Sequence, residues 1–161
     1  MTPGTVTNFD DSATVRFERV IDAAIDRVWQ ALTEQDDMSR WLAPTQFEAR
    51  SGGAVSIDFG EGGKVVGTVT AMEAPNTLEY TWDFTGEGES ILRFELTANG
   101  PQTKLVLEHR LLPHDQGVGY GAGWHAHLDV LEAHLGGREP VDWDERFSRV
   151  IGHYTSSDAG G

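Results

Sequence analysis

Alternating apolar and polar positions run through most of the chain. Residues Thr14 to Ile21 alternate in this way, and six further segments follow from Thr45 onward: TQFEAR, AVSIDFG, KVVGTVTAME, TLEYTWDF, SILRFELTA and TKLVLEHRLL. A period of two is typical of half-buried strands. Short turn sequences separate the six later segments, so successive strands should pair as antiparallel hairpins. The pattern predicts one antiparallel sheet with an apolar face and a water-facing side.

Helical spacing appears on either side of these strands. A helix and a second short helix are predicted between the first two strands, up to Leu42. A long helix follows the last strand, and its apolar residues recur as one stripe: Tyr120, Trp124, Leu128, Leu131 and Leu135. This stripe should lie on the apolar face of the sheet. The fold class is therefore α+β, with a curved antiparallel sheet around a long C-terminal helix.

The long helix also carries histidines and acidic residues. At about 100° per residue, His125, Asp129 and Glu132 fall opposite the stripe and are expected to face water. His127 and His134 are about 10 Å apart along the axis, too far for one metal ion with bonds of about 2 Å. We predict no metal site and no cofactor. His127 is the exception to the water-facing histidines, because it could face a cavity.

Composition narrows the classes of function. The 161 residues include 12 Lys and Arg against 26 Asp and Glu, a formal charge of −14. This excess argues against nucleic acid and anionic membranes as partners. The sequence contains no cysteine, so a Cys nucleophile and disulfides are excluded. No apolar run of membrane-spanning length and no secretory signal pattern occurs, which predicts a cytoplasmic protein.

An ordered set of short motifs resembles a known family. The set comprises Glu18-Arg19, the VW-x-ALT of residues 28–33, Arg40-Trp41, and then G-x-V, L-x-Y-x-W and GW…LDVLEAHL downstream. The chain resembles homologues of the activator of the ninety-kilodalton heat-shock protein ATPase, within the SRPBCC superfamily that includes START domains. The resemblance implies a helix-grip domain over residues 14–137, often with a cavity for an apolar ligand. Residues 138–161 would form a C-terminal extension with a short amphipathic helix and a mobile end.

The extension has an apolar face of its own. Its members recur at helical spacing: Trp143, Phe147, Val150, Ile151 and Tyr154. This face should pack either on the domain or on a second copy of the chain, so a homodimer is one hypothesis.

The first hypothesis for function is binding of a small hydrophobic or aromatic ligand. The candidate ligand-binding residues are Trp41, Phe59, Tyr80, Trp82, Phe94, His109, Trp124 and His127. The alternative for each is that it simply fills the core. We expect a cavity bounded by Trp82, Phe94, Trp124 and His127. Glycines at 119, 121 and 123 would form a flexible loop at its mouth, and His109 or His127 would make binding pH-sensitive near neutrality.

Two other functions stay open. An aromatase/cyclase-like enzyme acting on a polyketide-type substrate would need an acid or base in the cavity. Only His109, His127 and Tyr80 could serve, so we predict no catalytic residue and favour a non-enzymatic protein. A chaperone ATPase-regulating interaction protein is the third hypothesis. The family's namesake needs an additional N-terminal domain, which these 161 residues lack.

Overall fold

A computed structural model describes residues 4–9, 11–85 and 87–158, with side chains as far as Tyr154. The final residues 159–161, part of the end predicted to be mobile, lie outside the described residues. In chain order the elements are β1 (Thr5–Asn8), β2 (Ser12–Ile21), α1 (Ile25–Thr33), α2 (Gln35–Trp41), β3 (Thr45–Phe47), β4 (Ala54–Asp58), β5 (Lys64–Glu73), β6 (Thr77–Phe84), β7 (Gly88–Asn99), β8 (Gln102–Pro113), α3 (Gly117–Gly136) and α4 (Trp143–Asp158).

The strands form one antiparallel sheet in the order β1-β2-β8-β7-β6-β5-β4-β3. Strands β3 to β8 are a meander, as their short turns predict, and β2 pairs with β8 so that Phe17 lies opposite Leu107. Register shifts in β2 and β5 mark irregularities that bend a sheet. The predicted α+β class, a curved antiparallel sheet around a long C-terminal helix, is confirmed.

Strand β1 is an addition to the predicted sheet. Its four residues pair with β2 at the sheet edge, where Val6 lies opposite Val15. A segment of four mostly polar residues is too short to show a periodic pattern, so β1 is recognised as a strand only from its pairing with β2. The two short helices therefore follow the second strand of the sheet rather than the first.

Helix α3 is buried on more sides than its sequence predicts. The predicted stripe is buried at Trp124, Leu128 and Leu131, none more than 1% exposed. The expectation that His125 and Asp129 face water is wrong, since they are only 3% and 7% exposed. Helix α4 and strands β1 and β2 pack around α3 and cover this second face.

The glycines at the start of α3 permit that packing. A Cβ on Gly117 would lie 2.7 Å from Val6, and a Cβ on Gly121 would lie 2.9 Å from Tyr154. The predicted flexible loop at positions 119, 121 and 123 is wrong, because all three are helical. Small residues are needed here for the close approach of β1 and α4.

Helix α4 packs its apolar face on its own domain. Val150 and Tyr154 are buried, and the Tyr154 hydroxyl accepts a hydrogen bond of 2.8 Å from the Gly4 amide. The same hydroxyl lies 2.8 Å from Nδ1 of His125. Tyr154 therefore ties the tail helix both to α3 and to the start of the chain.

A buried ion network joins β2, α3 and α4. Arg19 is 4% exposed and donates hydrogen bonds to Asp129 at 2.6 Å and to Glu132 at 2.7 Å. Asp129 also accepts from Arg146 of α4. Charges removed from water need such pairing, so each member depends on the others.

Candidate functional site

A cavity of about 1080 Å³ lies between the sheet, α3 and α4. The 3-10 turn at Gly60–Gly62 and the loop after α2 complete its wall. Its aromatic lining comes from four parts of the chain: Phe59, Trp82, Phe84, Tyr120, Trp124, Trp143 and Phe147. Apolar rings therefore make up most of the surface available to a guest molecule.

Four of the predicted ligand-binding residues line this cavity, namely Phe59, Trp82, Trp124 and His127. The other four are at most 2% exposed and lie in the core without lining it: Trp41, Tyr80, Phe94 and His109. Phe94 lies behind the wall, edge-on to the Trp124 ring at 6.3 Å between centroids. The cavity is thus displaced from the predicted position, away from Phe94 and toward α4.

His109 supports the cavity wall from behind. Trp124 Nε1 donates to His109 Nδ1 at 3.0 Å, so the imidazole proton resides on Nε2. Nε2 then donates to Ser90 Oγ at 2.7 Å, and Ser90 Oγ donates to the Trp82 carbonyl at 3.0 Å. This chain of hydrogen bonds ties the Trp124 indole to the backbone of Trp82. Burial lowers the pKa of His109 to about 3.

His127 lies among aromatic rings. Its ring centroid is 5.5 Å from that of Trp124, 5.3 Å from Trp143 and 5.9 Å from Phe59. Burial lowers the pKa of His127 to about 4, against a smaller opposing effect from a backbone hydrogen bond with Trp41. The expectation that His109 or His127 titrates near neutrality is therefore wrong, because desolvation keeps both imidazoles neutral.

A short polar chain crosses the cavity wall. Trp82 Nε1 donates to the Tyr120 hydroxyl at 3.1 Å, and that hydroxyl donates to Glu87 Oε1 at 2.6 Å. Burial, together with the Glu87 carboxylate, raises the pKa of Tyr120, so the phenol stays protonated. Glu87 also lines the cavity. Sequence reasoning missed this pair because Tyr120 was assigned to the packing stripe and Glu87 to a turn.

Two further lining residues come from the C-terminal extension. The rings of Trp143 and Phe147 stack at 4.9 Å between centroids, and Trp143 Nε1 donates to the Gly123 carbonyl at 3.2 Å. Their i,i+4 spacing was visible in the sequence, but only as an amphipathic pattern. The family resemblance stops before them, so they carried no signal for the site.

Acid–base chemistry has few candidates here. Of Tyr80, His109 and His127, only His127 reaches the cavity wall. Within the described ranges, no group of three or more His, Asp or Glu side chains is placed to hold a metal ion.

The buried histidines predict acid destabilisation. In the unfolded chain they bind protons as pH falls below about 6.5, whereas folded His109 and His127 resist protonation down to about 3 and 4. The contribution of these neutral histidines to folding stability is complete above pH 6.5 and is lost as the pH falls toward their folded-state pKa values. The free energy of unfolding, measured with urea, should stay level near pH 7 and then decline between about pH 6 and 4 by about 1.4 kcal/mol per pH unit for each such histidine.

The His109→Gln variant should show a shallower decline with pH. His114 is exposed, so His114→Gln serves as the matched control and should keep the parental slope. Equal slopes in the parent and in His109→Gln would contradict the assignment of His109 as a buried neutral base.

An antiparallel sheet that wraps a long helix and leaves a cavity between them defines the helix-grip class of protein. The family model described as "Activator of Hsp90 ATPase homolog 1-like protein" matches residues 22–136, and the chain belongs to this family. The predicted membership of the SRPBCC superfamily is confirmed. No curated protein sequence matches the chain.

Solved structures support the same fold. CalU16 from Micromonospora echinospora is 22% identical, with a TM-score of 0.79 over 96% of this chain and 94% of that one. EF2215 from Enterococcus faecalis, described as a conserved protein of unknown function, is 23% identical with a TM-score of 0.80 over 98% and 91%. DynU16, a protein in the dynemicin biosynthetic locus, is 26% identical with a TM-score of 0.73 over 82% of this chain and 49% of that one. None of the helices in the described ranges has the length and apolar character needed to cross a membrane.

Proposed function

We propose that the protein binds a small hydrophobic or aromatic ligand in the cavity between the sheet and α3. The observation that carries this proposal is a cavity of about 1080 Å³ with seven aromatic side chains in its wall. Small-molecule sites are typically apolar clefts of about 300–1,000 Å³ with few polar groups. Each 100 Å² of apolar surface that a ligand buries would contribute about 2.5 kcal/mol.

The wall is preorganised to receive such a ligand. The Trp124 indole is held by its hydrogen bond to His109, and the Trp82 indole is held by its hydrogen bond to Tyr120. Rings that are already fixed lose little side-chain entropy on binding. Because Trp143 and Phe147 come from α4, we propose that the binding unit includes the C-terminal extension rather than ending at residue 137.

A relative encoded in a biosynthetic locus supports a biosynthetic small molecule as the ligand class. Catalysis on such a molecule is less well supported. Two of the three predicted acid–base groups, Tyr80 and His109, are buried away from the cavity. Binding is therefore the function we retain.

Binding of N-phenyl-1-naphthylamine, an uncharged hydrophobic fluorophore, tests the proposal. The fluorophore should bind the native protein with enhanced emission and quench tryptophan fluorescence. Gly119 lines the cavity, and a Cβ added there meets no atom within 4 Å. The side chain of Gly119→Phe should therefore start in open space, fill part of the cavity and weaken fluorophore binding about tenfold.

Gly152→Phe is the matched control. Gly152 is an exposed helical glycine of α4 that also has open space around its Cβ and does not line the cavity. It should leave binding unchanged, and neither variant should lower the melting temperature. Equal fluorophore affinity in the parent and in Gly119→Phe would place binding elsewhere, and failure of the parent to bind would reject the proposal.

A further inference from the structure

The charged side chains of the cavity wall are all of one sign. Four carboxylates line the cavity, namely Asp58, Glu61, Glu87 and Asp144, and its described lining includes no Lys or Arg. The one imidazole in the wall, His127, is buried among aromatic rings and stays neutral near pH 7. A guest therefore meets a negative potential, within a protein whose formal charge is −14.

Glu87 is the carboxylate placed deepest in this wall. It is half-buried, whereas Asp58, Glu61 and Asp144 are exposed at the rim. The one hydrogen-bond partner of its side chain among the described residues is Tyr120, a neutral phenol. Other shielded carboxylates of the protein, such as Asp129 and Glu79, are paired with arginine side chains. Glu87 thus places a carboxylate beside the cavity with no Lys or Arg partner among the described residues.

Two aromatic side chains lie next to this carboxylate. Tyr120 and Trp82 lie edge to face at 6.4 Å between centroids, and their hydrogen bond leads directly to Glu87. The faces of such rings attract ammonium groups, and the attraction grows when the cation is shielded from water. A carboxylate beside aromatic rings is therefore a combination that favours an organic cation over a neutral or anionic guest.

We infer that the ligand of this cavity carries a cationic amine. The ammonium group binds at Glu87, next to Tyr120 and Trp82, and the apolar part of the molecule packs against Trp124, Trp143 and Phe147. An anionic group at the same place would be repelled by four carboxylates. This inference rests on the proposed ligand-binding function and adds the charge of the ligand to it.

Three naphthalene probes of similar size test the inference: 1-naphthylmethylamine as the cation, 1-naphthalenemethanol as the neutral probe and 1-naphthoate as the anion. Their dissociation constants are measured by isothermal titration calorimetry at pH 7. The amine should bind about tenfold more tightly than the alcohol, from cation–π attraction and a charged hydrogen bond. The carboxylate should bind more weakly than the alcohol.

The Glu87→Gln variant should reduce the advantage of the amine over the alcohol to about twofold or less. Its amide oxygen can still accept the Tyr120 hydrogen bond, so the wall keeps its shape. Glu89→Gln is the control, because it removes the same charge at an exposed position two residues away that does not line the cavity. That variant should keep the full preference for the amine.

Two results would overturn the inference. Equal affinities for the three probes would do so, as would a full preference for the amine in Glu87→Gln. Binding of the neutral alcohol would still support the proposed function in both cases. If none of the three probes binds, the proposed function fails together with the inference.

Discussion

The Leu131→Asp variant should not fold under conditions where the parent chain is stable. Leu131 is 0% exposed and lies at the centre of the stripe that α3 packs on the sheet. The substitution removes a buried aliphatic side chain and puts an unpaired carboxylate in its place. The expected loss is about 5 kcal/mol or more, which is comparable to the whole stability of many domains. Circular dichroism and thermal melting measure it.

The conservative variant Leu131→Met controls for the position itself. It keeps the volume and the apolar character, so its cost should stay below about 1.5 kcal/mol. If Leu131→Asp melts at the parental temperature, the stripe does not face the sheet, and the assignment of α3 is wrong.

Deletion of residues 138–161 should have the second-largest effect. It removes α4, and with it Arg146, one of the two arginine partners of the buried Asp129. Breaking a buried ion pair typically costs about 3–5 kcal/mol, and the apolar contacts of Val150 and Tyr154 are lost as well. The truncated chain should therefore unfold at a much lower urea concentration. It should also bind the fluorophore poorly, because Trp143 and Phe147 are gone.

Two single substitutions on α4 test whether its buried face, rather than its exposed face, stabilises the domain. Val150 is buried against the domain and Ser148 is exposed on the same helix. Val150→Asp should reproduce much of the destabilisation, and Ser148→Asp should cost less than about 0.5 kcal/mol. A truncation that stays soluble, with unchanged molecular mass and melting, would show that the extension is idle. Molecular mass measured in the same samples also tests the homodimer, which stays a prediction.

The meander of strands β3 to β8 could be predicted because its information is local. Strands such as β6 alternate every second residue, and turns of Gly, Asn and Pro lie between them. Strand β1 could not be predicted in this way. Thr5–Asn8 is a strand because it pairs with β2, and its sequence has no periodic pattern that predicts this pairing.

The residues of the candidate site also fall into those that local patterns predict and those that depend on tertiary contacts. Trp82 and Trp124 could be placed opposite each other because both belong to clear apolar faces, and the structure puts their rings 5.3 Å apart. The contribution of Trp143 could not be foreseen, since its aromatic ring reaches the wall only through the docking of α4. The polar link from Tyr120 to Glu87 joins a helix to a turn 33 residues away.

The sequence by itself determined the alternation of strands and helices, the α+β class, the family and the acidic, cysteine-free character of the protein. Those properties follow from residue identity and from periods of two and 3.6 residues, which need no knowledge of distant contacts. Only the tertiary structure decided that α3 is buried on two faces, one against the sheet and the other, with His125 and Asp129, under α4, β1 and β2. Arg19 and Asp129 are 110 residues apart in the chain, yet they form a buried ion pair. Burial also set the neutral state of His109 and His127, because a pKa depends on the solvent that packing removes rather than on the residue type alone.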